Sequence, residues 1–349
     1  MPLRNRRTPL VLLLCIALVS AACSGGGKKE TAASTTTTEA TTTTVPPPVP
    51  VFPLTGLPTD GSANALRPAL IVKLDNVEPK ARPQAGLIQA DVVYEERVEG
   101  SVTRLLTIFH STDAAPVGPV RSARTSDIGI FSSLNRPYFA WSGANTNFAQ
   151  RIREANVNDV GVDRATAEYT RERGRPAPSN LMLRSTESAL ALPSEGSSPP
   201  PVLFTFRPPT QAQAHLEPVA GVAVNYGFSA GAAPIEYRWN GTGWARTQKG
   251  TAHVDAAGVQ VAPENVIIQF VSYASSGVND QFGKPIPEAQ LIGEGDAWVL
   301  TAGGIVLGRW HKPSLEALTT YTDVDGNPIG LTPGRTWVAL PSQGDASRL

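Results

Sequence analysis

The stretch VVYEERVEGSVTRLLTIF, residues 92–109, decides the reading of the fold. Its two runs, Val92–Val98 and Val102–Phe109, alternate in polarity around Glu99-Gly100-Ser101. A side-chain period of two belongs to a strand, and glycine supplies the positive φ that reverses the chain, so the stretch reads as a β-hairpin. Upstream, Ala69–Leu74 is a continuous apolar run interrupted only by Lys73, the pattern of a strand covered on both faces. The three runs are expected to share one sheet.

Working outward, the loop Gly118-Pro-Val-Arg-Ser-Ala-Arg124 leads into Ile128, Phe131 and Leu134 at helical spacing behind the candidate N-caps Thr125 and Ser126. Tyr138–Trp141 reads as a short strand, and Phe148, Ile152 and Ala155, with Asn145 ahead, read as a second helix. The Ser/Gly/Pro-rich residues 193–201 form the best internal boundary. Beyond it Val222, Val224, Tyr226 and Phe228 alternate, as do Ile235, Tyr237 and Trp239 before the hairpin signal Asn240-Gly241. Gly303-Gly304 and Asp325-Gly326 repeat that device, and Val266–Val271 is a further buried strand. The expected class is α+β: a mixed α/β N-terminal domain over residues 51–200, packed against a mainly antiparallel β-rich domain over 201–349.

The start of the chain has a different character. Arg4, Arg6 and Arg7 precede an apolar run, Leu10–Val19, too short to span a bilayer, and Ser20, Ala21 and Ala22 lead to Cys23. Residues 1–22 therefore read as a signal peptide. The small residues before Cys23 resemble the lipobox of bacterial lipoproteins, with Ser20 where such boxes usually carry Leu. The resemblance implies diacylglyceryl attachment to the Cys23 thiol and a membrane anchor on the extracytoplasmic face. The only other cysteine, Cys15, would leave with the leader, so no disulfide, thiolate ligand or cysteine nucleophile is expected in the mature chain. Residues 23–50, rich in Thr and Pro, cannot build a core and read as a tether reaching on the order of 30 Å.

Composition narrows the function classes. With 41% hydrophobic and 17% charged residues the chain is ordinary for a globular protein, and 30 basic residues balance 30 acidic ones. No long-range field draws it to nucleic acid, and no nucleic-acid partner is expected.

Several phrases coincide with a known family. Arg82-Pro-Gln-Ala-Gly-Leu, Ala90-Asp91-Val-Val-Tyr-Glu95, Thr103-Arg104 and Gly118-Pro-Val-Arg121-Ser-Ala-Arg124 resemble the N-terminal part of the YerB-like bacterial lipoproteins. Asn265-Val266-Ile267, Gly308-Arg-Trp310-His-Lys312 and Pro333-Gly-Arg-Thr-Trp337 resemble the C-terminal part. The resemblance implies an extracytoplasmic lipoprotein of two conjoined domains, and it implies no reaction. Ahead of Gly143 this chain has Trp141-Ser142 where the family often has His, which argues against a histidine-based site there.

The candidate ligand site gathers Arg82, Arg104, Arg121 and Arg124 with Ser122, Glu95 and Asp91. Guanidinium forks suit carboxylates and phosphates, and Arg121 and Arg124 stand just before a predicted helix start. The same arginines could instead pair with Asp91, Glu95, Glu96 and Glu99 on the neighbouring strand. A second function class, a cofactor-free hydrolase of envelope glycan or peptide, would use Glu95 or Asp91 near those arginines, from the carboxylate group Asp75, Asp91, Glu95 and Glu99. No metal or cofactor is expected, since His110, His215, His253 and His311 stand apart, and the signatures of serine hydrolases are missing. Trp239, Trp244, Trp298, Trp310 and Trp337 suit either a core or a ligand groove. The leading expectation is noncatalytic binding of an anionic ligand or an envelope partner, with membrane attachment through the N-terminal lipid.

Overall fold

The hairpin of residues 92–109 lies at the heart of a large sheet in the computed structural model, which describes residues 49–349 apart from Ser101, Pro209, residues 228–233 and Gln281. The leader, Cys23, nearly all of the tether and Phe228 lie outside the described residues. The N-terminal half contributes β1 (Leu70–Asp75), β2 (Val92–Val98), β3 (Val102–Phe109), β4 (Tyr138–Ala140), β5 (Asn158–Asp159), β6 (Tyr169–Arg171) and β7 (Leu181–Leu183). Three short helices accompany them: α1 (Ser126–Phe131), α2 (Thr146–Glu154) and α3 (Thr186–Leu190). The remainder supplies β8 (Glu217–Pro218), β9 (Gly221–Val224), β10 (Ile235–Trp239), β11 (Trp244–Gln248), β12 (Thr251–Ala252), β13 (Asn265–Gln269), β14 (Tyr273–Asn279), β15 (Pro285–Ala289), β16 (Gly293–Thr301), β17 (Gly304–Lys312), β18 (Thr320–Asp323), β19 (Thr336–Leu340) and β20 (Ala346–Arg348).

Strands outweigh helices in both halves, so the fold is mainly β and the helical share expected of the N-terminal half is too large. The sequence pattern overextends the first helix in particular. It ends at Phe131, and Leu134 is buried in the turn beyond, where Asn135 and Arg136 take positive φ.

Eleven strands form one sheet in the order β18-β17-β16-β13-β19-β2-β3-β1-β4-β5, with β8 beside β17. The three strands grouped from sequence do share this sheet: β1 and β2 both pair antiparallel with β3. The two sequence halves meet at β19, which lies parallel to both β13 and β2 and is buried at all five positions. A second sheet of five strands has the order β12-β11-β10-β9-β20.

Period-two geometry sends alternate residues of the large sheet into two cores. Leu70, Val72, Leu74, Val93, Leu105, Trp337 and Ala339 cluster with Val222, Val224, Tyr237 and Trp244 of the five-stranded sheet. Ile71, Tyr94, Leu106, Ile108, Val338 and Leu340 cluster with Ile130, Phe131 and Ile152 of the helices. One face is thus covered by a sheet and the other by helices and loops, which explains why β1 reads as a nearly unbroken apolar run.

Two of the turn signals fall differently from the sequence pattern: the turn read at Gly303-Gly304 lies one residue earlier, since Gly304, the first residue of β17, already pairs with Thr301. Ala302-Gly303 joins β16 to β17 in two residues with φ of 49° and 77°. Asn240-Gly241 instead opens a four-residue loop, because Trp239 pairs with Trp244 and the Asn240 side chain accepts hydrogen bonds from the N–H groups of Thr242 and Gly243. That side-chain turn competes with the tight two-residue form.

Gly308 in β17 marks a close approach of backbone to backbone. A Cβ there would stand 2.0 Å from the Thr322 carbonyl oxygen of β18. Gly308→Ala is expected to cost about 1–3 kcal/mol, the usual scale of overpacking, and to loosen β18 from the sheet edge. Urea unfolding checks the cost; an unchanged midpoint would show that the strands can separate freely.

Candidate functional site

The polar groups predicted to form one site are divided between the two faces of the large sheet. On the face toward the five-stranded sheet, Glu95 of β2 has no exposed side-chain area and meets an equally buried Arg246 of β11. Arg246 Nη2 donates to Glu95 Oε1 at 2.7 Å and to Oε2 at 2.9 Å. The Thr103 hydroxyl (2.7 Å), Tyr237 hydroxyl (3.2 Å) and Trp337 indole N–H (3.1 Å) also donate to this carboxylate. Arg246 Nη1 lies 2.6 Å from His253 Nδ1, and His253 Nε2 lies 2.8 Å from Gln84 Oε1. Since a guanidinium can only donate, His253 accepts at Nδ1 and donates from Nε2. Burial, then the charges of Arg246 and Arg82, hold its pKa well below the usual value, so the ring is neutral.

Arg82 belongs to the rim of this network. It donates to Asn76 Oδ1 at 2.9 Å and to Gln248 Oε1, and pairs with Glu78 at 2.6 Å. Burial and the Arg246 charge lower its pKa to about 9. Glu78, Arg82, Lys249 and Val254 line a shallow cleft beside it.

Arg104, Arg121 and Arg124 lie on the opposite face, with Asp75 and Glu99. Arg121 Nε donates to Asp75 Oδ2 at 3.2 Å, and the Ser179 hydroxyl donates to the same oxygen at 2.7 Å. Arg124 grips Glu99 through Nε, at 2.9 Å, and Nη2, while Arg104 Nη2 lies 3.5 Å from Glu99 and its Nη1 donates to the Ser122 carbonyl. Ser122 contributes its hydroxyl 3.4 Å from Arg121 Nη1. Burial draws the Glu99 carboxyl upward, yet the Arg124 hydrogen bond and the charges of Arg104 and Arg124 outweigh it and hold the pKa at about 2. Arg104 is pulled down to about 10 by burial and by the neighbouring Arg124 charge. Three cations therefore share two carboxylates, Arg104 Nε is buried without a hydrogen-bond partner, and Arg121 is the most open of the three at 26% side-chain exposure.

Asp91 joins neither group. Its Oδ2 accepts the N–H groups of His110 and Ser111, both at 2.7 Å, and its Oδ1 accepts the Ser111 hydroxyl, so it fastens the chain leaving β3. Burial pushes this carboxyl up to about 6. Asp91 and Glu95 are thus interior groups whose oxygens are already engaged, which leaves neither free to act on a substrate. Asp91 apart, the arginines and acids pair with basic or acidic side chains, with Arg246, Lys73 and Glu78 as partners that the sequence reading did not include. Arg246 alternates with Trp244 and Gln248 on the inward side of β11, where a polarity pattern places an arginine outside.

Trp244, Trp310 and Trp337 are buried; Trp310 donates to the Phe270 carbonyl at 2.8 Å and Lys312 Nζ to the Ala317 carbonyl. Arg309 is exposed beside Glu294 and Asp296. Among the described residues, one His/Asp grouping has ligand-type atoms within 4.8 Å of one another: His215, Asp323 and Asp325. There His215 Nε2 is already 2.8 Å from Asp325 Oδ2.

This arrangement of two conjoined halves around one sheet has relatives. Residues 54–197 match the N-terminal domain, and residues 222–338 the C-terminal domain, of a family described as "Protein of unknown function (DUF3048)". The chain belongs to this family, which includes the YerB-like proteins. It is 28% identical over 308 residues to "Putative lipoprotein YerB" of Bacillus subtilis (strain 168), covering 85% of this chain and 88% of that protein. The crystal structure of the YerB protein from Bacillus subtilis superposes with a TM-score of 0.73 at 25% identity, covering 86% of this chain and 99% of the other.

Removing one partner of a buried ion pair strands the other. Arg246→Ala should therefore cost about 3–5 kcal/mol in unfolding free energy. The paired replacement Arg246→Met with Glu95→Leu should cost much less than the single change, because both desolvated charges go together. Denaturant titration of the three proteins separates these outcomes; equal losses would mean that Glu95 finds another cation.

Proposed function

We propose that this protein is a noncatalytic envelope lipoprotein, held on the outer face of the cytoplasmic membrane by a lipid on Cys23, whose folded part binds an anionic ligand at Arg104, Arg121 and Arg124. The leader pattern, the small residues before Cys23 and the kinship with a protein named as a lipoprotein support the placement. The Thr/Pro-rich tether, residues 23–50, would let the folded part stand clear of the lipid headgroups.

The observation that carries the binding reading is the unequal charge of the second cluster: Arg104, Arg121 and Arg124 against Asp75 and Glu99. A bound anion would complete the balance and relieve the mutual repulsion felt by Arg104. Arg121 is the accessible contact, with Ser122 beside it. Arg82 stands apart on the other face, so it is a contact for a ligand only at its own rim.

Two experiments test this reading. Cys23→Ser should move the protein from the membrane fraction to the soluble one in the native host; continued membrane retention would overturn the anchor. Titrating the wild type with inorganic phosphate should release heat and raise the unfolding temperature. Arg121→Ala should weaken binding about tenfold or more, the scale of one charge-assisted hydrogen bond. Phosphate that binds both proteins alike, or neither, would refute the site.

A further inference from the structure

Lys73, the single charge in the apolar run of β1, lies at the bottom of the helix-covered core. Its Nζ is 2.5 Å from Glu96 Oε1 and 2.6 Å from Asp127 Oδ1. The side chains of Lys73 and Asp127 have no exposed area, and that of Glu96 has 1%. Lys73 shares its sheet face with Ile71, Tyr94 and Leu106, and Asp127 belongs to α1, whose Ile130 and Phe131 pack on that face.

As a plain ion pair this arrangement is poorly balanced, because two carboxylates meet one ammonium away from water. Burial raises the Asp127 carboxyl to about 6 against the opposing Lys73 charge, with Glu96 adding to the rise, so a neutral acid is within reach. The two carboxyl groups also differ in their second oxygen. Asp127 Oδ2 accepts the Arg124 backbone N–H at 2.7 Å, whereas Glu96 Oε2 is buried without a hydrogen-bond partner.

The geometry points to an intramolecular isopeptide bond between Lys73 Nζ and Asp127 Cγ, formed by the protein itself with Glu96 as proton carrier. Glu96 takes one proton from the Lys73 ammonium, and the freed amine attacks Cγ. The new N–C bond pushes an electron pair onto Oδ2, where the Arg124 N–H stabilises the developing charge. Glu96 relays protons from nitrogen to Oδ1, the Cγ–Oδ1 bond breaks, and Oδ1 leaves as water. Starting from the neutral Asp127 acid, the four protons on Lys73 and Asp127 end as one on the amide nitrogen, two on the departing water and one on Glu96, which finishes as an uncharged acid. Held reactants and the exclusion of bulk water favour the step.

The preference for Asp127 over Glu96 as acceptor follows from the backbone donor. Only Asp127 has a group placed to hold an oxyanion, and only Glu96 has an oxygen free to carry the proton. The bond would tie β1 to α1 across a sequence separation of 54 residues. It would also remove a buried charge pair from the core.

The test is a protease digest of the full-length protein after complete denaturation, read by tandem mass spectrometry. The expected result is one branched peptide joining the segments that contain Lys73 and Asp127, lighter by one water than their sum. Glu96→Gln, similar in volume, should give only the two linear peptides while circular dichroism shows the native fold. Linear peptides from the wild type would overturn the proposal, as would a branch from Lys73 to Glu96, or a branch that persists in the Glu96 variant. The wild-type digest decides the matter even if the variant does not fold.

Discussion

A guanidinium sealed against a carboxylate between two sheets sets the terms for this fold. Glu95 comes from the large sheet and Arg246 from the small one, and neither has any contact with solvent. Two such charges are tolerated in an interior only where every remaining donor and acceptor is met, and here Thr103, Tyr237, Trp337, His253 and Gln248 meet them. Hydrophobic contact between the sheets is nondirectional and would allow small slips. The ion pair and its hydrogen bonds allow one alignment, so they act as the register of a packing that apolar burial drives.

That constraint also orders the chemistry of the molecule. With Glu95 and Arg246 committed to the sheet interface, and Asp91 committed to the loop after β3, two further charged groups lie on the helix-covered face. There they grade from the sealed group of Lys73, Glu96 and Asp127 to the partly open group of Arg104, Arg121, Arg124, Glu99 and Asp75. The backbone N–H of Arg124 touches Asp127 while its side chain grips Glu99, so one residue borders both groups.

Much of the local structure was legible in the sequence, because period-two alternation and turn glycines act over a few residues. The hairpin of Val92–Val98 and Val102–Phe109, the strand at Leu70–Asp75 and the helix capped by Asn145 all follow from such short-range rules. What could not be read was which strands lie side by side at a distance. The parallel pairing of Thr336–Leu340 with Val92–Glu96 leaves no local trace, and neither does the inward turn of Arg246. For the same reason the four arginines read as one group were split: Arg82 and Arg104 differ in the face they serve, which only the register decides. Lys73 was visible as an interruption in an apolar run, but its partner Asp127 comes from a helix whose docking no pattern announces.

The position of β19 and β20 has a consequence for how the molecule comes into being. The segment from Thr336 to Arg348 fills the slot between β13 and β2 and then adds the edge strand beside β9. Until residues 336–348 are in place, the central sheet is two pieces with raw facing edges, and the smaller sheet lacks its flank. Such distant pairings are slow to form, so closure of the central sheet is expected late in folding.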